Sequence, residues 1–273
     1  MAELGDPRGV LYPARLPTFH RILAPAELAD LIRWFWIPRW RLAPGRTSRQ
    51  SLLPFPASNL VVERAGVTLS GPSTGASFRD LSGTGWAVGA LLRPAGIASL
   101  RSDPGAIRDQ EVPFDAPDLH RAICSAMEDD DEAAAREAAA DAYAQWATRT
   151  LAAPDEGGLL ANAMEDLISS DRTIVRVDQV AERLHLSVRA VQRLAQRYVG
   201  VAPLAMIRRY RLQEAAQRLR DDPTLTVARV AVDLGYADHA HLTSDFRRVL
   251  GLAPTSYRRG SAEDRPEATP SSQ

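Results

Sequence analysis

The sequence predicts an α+β protein with a β-rich N-terminal barrel domain, a helical linker region and an all-α C-terminal domain of two helix-turn-helix units. Three observations support this fold class. Strand-length apolar runs separated by Gly, Pro and Ser clusters fill residues 1–117. Residues 118–156 are rich in alanine, which favours helix. Residues 157–260 repeat a short helical pattern.

The N-terminal segment contains several predicted strands. Leu60–Glu63 and Val67–Ser70 flank a short turn and are predicted to pair as a hairpin. Trp86–Leu92 is a further strand-length apolar run. Pro25–Trp36 is predicted to open with a helix. The sequence therefore places most of the β-structure before residue 117.

The middle of the chain and its end are predicted from composition. Residues 118–156 are expected to form a helical linker region, and Ala153–Gly158 is expected to be the hinge between the two halves. Residues 261–273 contain Pro, Ser and Glu and are expected to form a disordered tail.

The C-terminal segment repeats itself. Val177, Val180, Ala181 and Leu184 correspond to apolar residues 50 positions later, and Gly200 corresponds to Gly251 at a spacing of 51. One additional residue in the second turn explains the change in spacing. Each copy is predicted to form a short helix, a turn and a second helix, which is the helix-turn-helix pattern.

The second helix of each copy carries the candidate DNA-binding residues. In the first copy Ser187 is an expected N-cap, the apolar residues Val188, Val191, Leu194 and Ala195 point inward, and the polar residues point outward. Because Arg pairs with guanine and Gln with adenine in the major groove, this pattern predicts base contacts. The candidates are Ser187, Arg189, Gln192, Arg193 and Arg197 in the first copy, and His239, His241, Thr243, Ser244 and Arg247 in the second.

The distribution of charge agrees with a nucleic-acid partner. The chain has a net charge of −1, and all its 33 Lys and Arg residues are arginine. Residues 172–260 contain 16 arginines and 8 acidic residues, whereas residues 118–156 contain 3 arginines and 10 acidic residues. The basic segment therefore coincides with the repeat, as the electrostatic footprint of a DNA-binding domain should.

Several other functions are disfavoured. The single cysteine, Cys124, excludes an intramolecular disulfide and a cysteine-clustered zinc site, and a buried inert thiol is expected. His239 and His241 would lie about 200° apart around a helix and could not hold one ion. No catalytic constellation or phosphate-binding glycine loop is recognised, so no cofactor is expected. The chain has no membrane-length apolar run and begins without signal-peptide features, so a cytoplasmic protein is expected.

The C-terminal segment resembles the AraC/XylS family of bacterial transcription regulators. The resemblance is carried by Leu234–Asp238, Phe246–Arg248 and Gly251–Arg258, and by Arg211–Ala216 in the connecting helix. It implies a reader of two adjacent major grooves in double-stranded DNA. The base-reading positions of the family fall on Arg189, Gln192 and Arg193 in the first copy and on His239, His241, Thr243 and Ser244 in the second. Three residues depart from the family pattern: Ser244, where a basic residue is usual, Ala195, where an aromatic is usual, and Met206, where tyrosine is common. The Ser244 change predicts weak base reading by the second unit.

The N-terminal segment resembles, over Trp86–Gly96 and Val112–Asp115, the cupin-like sensory domain of some AraC-type regulators. That resemblance implies a small barrel that binds an effector, with Trp34, Trp36 and Trp86 as candidate pocket residues; ordinary core packing is the alternative for these tryptophans. The expected partners are double-stranded DNA, RNA polymerase and a small organic effector, with no membrane, in a monomer or homodimer. The alternative function is a small-molecule-binding protein or enzyme that acts through the barrel.

Overall fold

The computed structural model describes residues 18–52 and 55–263. Its N-terminal part contains the strands β1 Thr18–Leu23, β2 Ile32–Arg41, β3 Thr47–Leu52, β4 Asn59–Glu63, β5 Gly66–Ser70, β6 Ser77–Ser82, β7 Thr84–Leu92 and β8 Glu111–Pro113. They form a six-stranded antiparallel sheet in the order β1-β2-β7-β4-β5-β8 and a two-stranded ribbon, β3-β6. The predicted hairpin is confirmed, since Asn59 pairs with Ser70 and Glu63 with Gly66.

The prediction that Pro25–Trp36 opens with a helix is wrong, because the structure has only a single 3-10 turn there, Ala26–Leu28. The tryptophan-containing part of this segment is strand β2. Its side chains alternate between the two faces of the sheet: Phe35 and Ile37 enter the main core, whereas Trp34 and Trp36 point to the other face. Period-two alternation of large apolar residues favours a strand over a helix.

Three helices accompany the sheet: α1 Pro94–Leu100, α2 Pro117–Ala126 and α3 Glu132–Thr150. The prediction that residues 118–156 form a linker needs correction, because α2 and α3 pack on the sheet and share its core. Tyr143 of α3 is fully buried, packs 5.2 Å from Phe35 and donates a 2.7 Å hydrogen bond to the carbonyl of Leu60. Helix α3 has no strongly amphipathic pattern, yet its buried alanines pack into the same core as the strands.

The C-terminal part is helical and has two separate cores. Its helices are α4 Glu156–Ser170, α5 Val177–Arg183, α6 Val188–Tyr198, α7 Pro203–Asp221, α8 Val227–Asp233, α9 His239–Leu250 and α10 Pro254–Glu263. One core joins α4, α5, α6 and the start of α7, and the other joins the end of α7 to α8, α9 and α10. Helix α10 includes residues 261–263 of the predicted tail, and residues 264–273 lie outside the described residues.

The segment predicted as a hinge is closely packed in the structure. Asp155 caps α4 through the amide of Gly158 and accepts hydrogen bonds of 2.9 and 3.0 Å from the Tyr198 hydroxyl. A Cβ atom on Gly157 would lie 2.3 Å from that hydroxyl oxygen, and one on Gly158 would lie 3.0 Å from the Cβ of Ala95. The two glycines therefore permit close approach of α4 to its neighbours rather than flexibility.

Helix α4 also anchors the C-terminal part to the N-terminal part. Its Asn162 is buried, accepts a hydrogen bond from the Ala95 amide at 3.1 Å and donates one to the Asp30 carbonyl at 2.8 Å. Among the described residues, no helix is both long and apolar enough to cross a membrane.

Candidate nucleic-acid interface

The two helix-turn-helix units have matching turns. The Leu186 amide donates to the Ala181 carbonyl at 2.8 Å, and the Tyr236 amide donates to the Ala231 carbonyl at 2.9 Å. The preceding residue has a left-handed backbone in both, with φ of 54° at His185 and 68° at Gly235. The second turn then contains Ala237 as one additional residue before its N-cap. The predicted repeat and its change of spacing are therefore confirmed.

Side-chain caps fix the start of each second helix. The Ser187 hydroxyl accepts from the Ala190 amide at 3.1 Å at the start of α6, and the Asp238 carboxylate accepts from the His241 amide at 2.7 Å at the start of α9. These bonds satisfy amides that have no partner within their own helix. Ser187 was predicted as both N-cap and DNA contact, and the structure gives it the cap.

The outer face of α6 presents the polar residues predicted for the first unit. Arg189, Gln192, Arg193 and Arg197 are all exposed, while Val191 and Ala195 are fully buried on the opposite side. Val188 was predicted to point inward but is 40% exposed. Gln196 is also exposed on this side of α6, and its side-chain amide lies beside Gly105 of the N-terminal part, where a Cβ atom would come within 2.9 Å of Nε2.

The outer face of α9 is more mixed. His239, His241, Ser244 and Arg247 are exposed, whereas Thr243 is half-buried. The exposed face is centred on Ala240, Ser244 and Arg247, which follow helical spacing; Ala240 was missing from the predicted set because it carries no polar group. The ring of His241 lies edge-on to Tyr236, with centroids 5.2 Å apart, so His241 contacts the turn beside this face.

The outer faces of α6 and α9 carry cations that are free of acidic partners. Among the described residues, Arg189 and Arg193 of α6 and Arg247 of α9 form no salt bridge, whereas several other arginines of this domain do, as Arg183 does with Asp171 at 2.8 Å. Free guanidinium groups on exposed helix faces can make bidentate hydrogen bonds to phosphates or guanines. The geometry therefore suits contact with a polyanion.

The alternative chemistry at these residues is metal binding. Within residues 18–52 and 55–263, no three His, Cys, Asp or Glu side chains are grouped so that they could hold an ion. Cys124 is half-buried with its sulfur 3.5 Å from Nε2 of His120, and burial raises the pKa of its thiol, so that it is mostly protonated at neutral pH.

Comparison with known proteins agrees with this geometry. Residues 180–260 match a family described as a helix-turn-helix domain. The transcriptional activator RhaS of Escherichia coli O139:H28 is 32% identical over 102 residues, which cover 37% of this chain and 35% of RhaS. A Streptomyces antibioticus protein described as an AraC-like transcription regulator is 32% identical over 116 residues, which cover 39% of this chain and 38% of that protein. The C-terminal domain belongs to the AraC-type helix-turn-helix family. The match spans little more than a third of the length of these relatives.

Outside the AraC-type domain, residues 20–113 match a family described as a domain of unknown function, DUF6597. Two of the solved structures to which the chain is similar cover different shares of it. Apo ToxT K231A of Vibrio cholerae strain SCE256 has a TM-score of 0.46 at 10% identity, covering 82% of this chain and 97% of that chain. The DNA-binding domain of AdpA in complex with a target DNA has a TM-score of 0.33 at 28% identity, covering 42% of this chain and 99% of that chain.

A cavity of about 580 Å³ lies between the six-stranded sheet and the β3-β6 ribbon. Its wall combines aromatic and small apolar side chains with polar and charged ones, among them the buried Arg21 and Gln50. Trp34 and Trp36 line it, as the predicted ligand pocket requires. Trp86 does not: it shares the strand face of Val88 and Ala90 and is buried in the main core on the opposite side of the sheet. The prediction that Trp86 lines the pocket is therefore wrong, because successive side chains of a strand point to opposite faces of the sheet.

The tryptophans of the cavity wall are seated on glycines of the neighbouring strand. Trp36 pairs with Gly89 and Trp40 with Gly85 across β2 and β7. A Cβ atom would lie 2.1 Å from the Trp36 ring at Gly89 and 2.4 Å from the Trp40 ring at Gly85. The Trp36 indole nitrogen also donates to the Asn59 side chain at 3.0 Å. Each ring is therefore held flat against the sheet, which keeps the cavity open.

Proposed function

We propose that this protein is a sequence-specific DNA-binding transcription regulator that acts in the bacterial cytoplasm through its AraC-type domain. The observation that carries the proposal is the pair of capped helices, α6 with Arg189 and Arg193 and α9 with Arg247, whose exposed arginines form no salt bridge among the described residues. Two such helices joined by α7 would enter successive major grooves of one duplex. RNA polymerase is the partner through which such a regulator would change transcription. The regulator itself would act as a monomer or a homodimer.

A binding titration of the full chain with duplex DNA tests this proposal. We expect binding to weaken steeply between about 50 and 200 mM salt, by at least tenfold, because arginine–phosphate contacts release counterions. As a control, Arg121→Ala should bind duplex DNA like the unmodified protein, since this exposed arginine lies on α2 in the N-terminal part. A folded protein that shows no salt-sensitive binding to any duplex would refute the proposal and leave the small-molecule-binding or enzymatic alternative.

We further propose that a small organic molecule in the cavity modulates DNA binding. Cavities of this size bind small-molecule ligands in many proteins. Two wall segments of the cavity also contact the AraC-type domain. Phe55 lies 6.0 Å from Trp34 and 5.6 Å from Tyr210 of α7, measured between ring centroids. The Ala76 amide donates to the Val249 carbonyl of α9 at 2.8 Å.

These contacts divide between the two helix-turn-helix units. Phe55 packs against the core of the first unit, and Ala76 packs against the core of the second. Arg209 of α7 adds a hydrogen bond to the Thr74 carbonyl on the same loop as Ala76. A ligand that moves these wall segments would therefore change how both units are held. It can do so only if it binds one arrangement better than another.

Phe55→Ala tests the coupling. We expect a ligand found by thermal-shift screening of the full chain to change operator affinity by about 5- to 150-fold in the unmodified protein, the usual range of allosteric coupling. In Phe55→Ala the ligand should still raise the melting temperature, but the change in operator affinity should shrink severalfold. Phe78→Ala is the control, because Phe78 is 60% exposed on β6 and is absent from the cavity wall. A ligand that stabilises the chain without changing DNA affinity would indicate a binding module without a regulatory role.

A further inference from the structure

A cleft of about 410 Å³ separates the two helix-turn-helix units. One side is formed by Val175, which precedes α5, and by Leu204, Arg208 and Arg211 of α7. The other side is formed by the turn of the second unit, including Tyr236, and by His241 and Asp245 of α9. The cleft is thus built from both units and from the helix that joins them.

Two hydrogen-bond donors of this cleft have no acceptor. Tyr236 is 4% exposed, and its hydroxyl oxygen is buried without a hydrogen-bond partner among the described residues. Nη2 of Arg211 is likewise buried and without a partner there. The rest of the Arg211 side chain is fixed, since Nε donates to the Leu234 carbonyl at 2.8 Å and the guanidinium carbon lies 4.1 Å above the Tyr236 ring. Buried donors without acceptors are unfavourable, so a ligand in the cleft that supplied an acceptor would be favoured.

The charges around the cleft favour an anion. Arg208 is exposed at the cleft and Arg211 is half-buried. The one carboxylate among the lining residues, Asp245, is paired with Arg248. Burial raises the pKa of Tyr236 to about 12, so its hydroxyl stays a donor at neutral pH. The cleft therefore offers two cations and a neutral hydroxyl donor.

The position of the cleft relative to α6 and α9 indicates which anion it would bind. It is bordered by the turn and the first residues of α9, the part of a helix-turn-helix closest to DNA, and by Val175, two residues before α5 of the first unit. When α6 and α9 occupy successive major grooves, the backbone between those grooves must pass this region. Phosphate oxygens accept hydrogen bonds from both Arg and Tyr side chains.

We propose that this cleft binds a phosphate of the DNA backbone between the two half-sites, through Arg208, Arg211 and the Tyr236 hydroxyl. The inference rests on the proposed DNA-binding function. Because a phosphate carries no base information, the contact strengthens binding and fixes the spacing of the two units without changing base preference at either half-site.

The test combines Tyr236→Phe and Arg208→Gln in the full chain with operator duplexes in which single spacer phosphates are replaced by neutral methylphosphonates. We expect each variant to weaken binding about 5- to 10-fold with unchanged base preference, and Arg208→Gln to reduce the slope of log affinity against log salt by about 0.9, as loss of one phosphate contact does. One methylphosphonate position should weaken binding of the unmodified protein but not of the variants.

Tyr257→Phe controls for loss of a buried tyrosine hydroxyl, because Tyr257 is fully buried in the core of the second unit and is absent from the cleft. The free Tyr236→Phe protein should melt no lower than the unmodified protein. The proposal is overturned if both variants bind as tightly as the unmodified protein, if base preference changes, or if no spacer phosphate is sensitive. If the unmodified protein binds no duplex, the proposed function itself fails, which is a separate result.

Discussion

Replacing Arg193 with alanine is expected to weaken operator binding about 5- to 150-fold, equivalent to 1–3 kcal/mol, and to relax base preference at one position. Arg193 is exposed on α6, forms no salt bridge within the described residues and projects beside Arg189. A free guanidinium at this position can bind both acceptors of a guanine edge. Its loss removes a bidentate contact and leaves the fold intact, because no buried contact depends on the guanidinium group.

Thr243→Ala is the matched comparison on the second reading helix. Thr243 is half-buried and has a single hydroxyl, and the exposed position Ser244 lacks the cation expected there. We therefore expect a loss severalfold smaller than that of Arg193→Ala. Fluorescence anisotropy with the operator and with single-base variants measures both quantities. Equal losses, or a larger loss for Thr243→Ala, would show that the second unit dominates base reading.

The second large effect is expected at Glu165, which joins three elements at the domain boundary. This carboxylate is 1% exposed, accepts a hydrogen bond from Arg33 of β2 at 2.9 Å and one from the Tyr210 hydroxyl of α7 at 2.9 Å. Removing one member of a buried ion pair deprives its partner of compensating charge, and Arg33 would keep only the exposed carboxylate of Asp166. Glu165→Ala should therefore lower the free energy of unfolding on the order of 3 kcal/mol and loosen the contact between the two parts of the chain.

Asp166→Ala provides the contrast, since Asp166 also contacts Arg33 but is 52% exposed. An exposed ion pair contributes about 0–1 kcal/mol, so this variant should stay close to the unmodified protein. Urea unfolding measures the difference, and limited proteolysis around Leu151 to Asp155 reports separation of the two parts. Equal stability of the two variants would contradict the assigned role of Glu165.

The AraC-type domain could be predicted from the sequence because its signals are local. The repeated apolar spacing and the Ser187 cap each act within a few residues, and the structure has them as predicted. The Asp238 cap and the left-handed Gly235 of the second unit are equally local. The exposure of individual side chains was less predictable. Val188 is the first residue of α6, where an apolar side chain can remain exposed at small cost.

The N-terminal part was predicted less completely because its contacts are non-local. Trp86–Leu92 is a continuous apolar run with both faces covered, so its pattern does not say which face meets the cavity. An alanine-rich helix such as α3 has the same composition whether it links domains or packs on a sheet. The contacts of Phe55 and Glu165 join residues more than 100 positions apart and have no signature in sequence spacing.

Selection of bound sequences from random duplexes by the full chain tests whether α6 and α9 read DNA together. We expect a motif of two half-sites centred about 10–10.5 base pairs apart, the spacing of successive major grooves on one face of DNA. The half-site read by α6 should be the more strongly defined, and Arg193→Ala should blur that half alone. Recovery of no enriched motif from a folded protein, or of a motif with one half-site that Arg193→Ala leaves unchanged, would contradict this expectation.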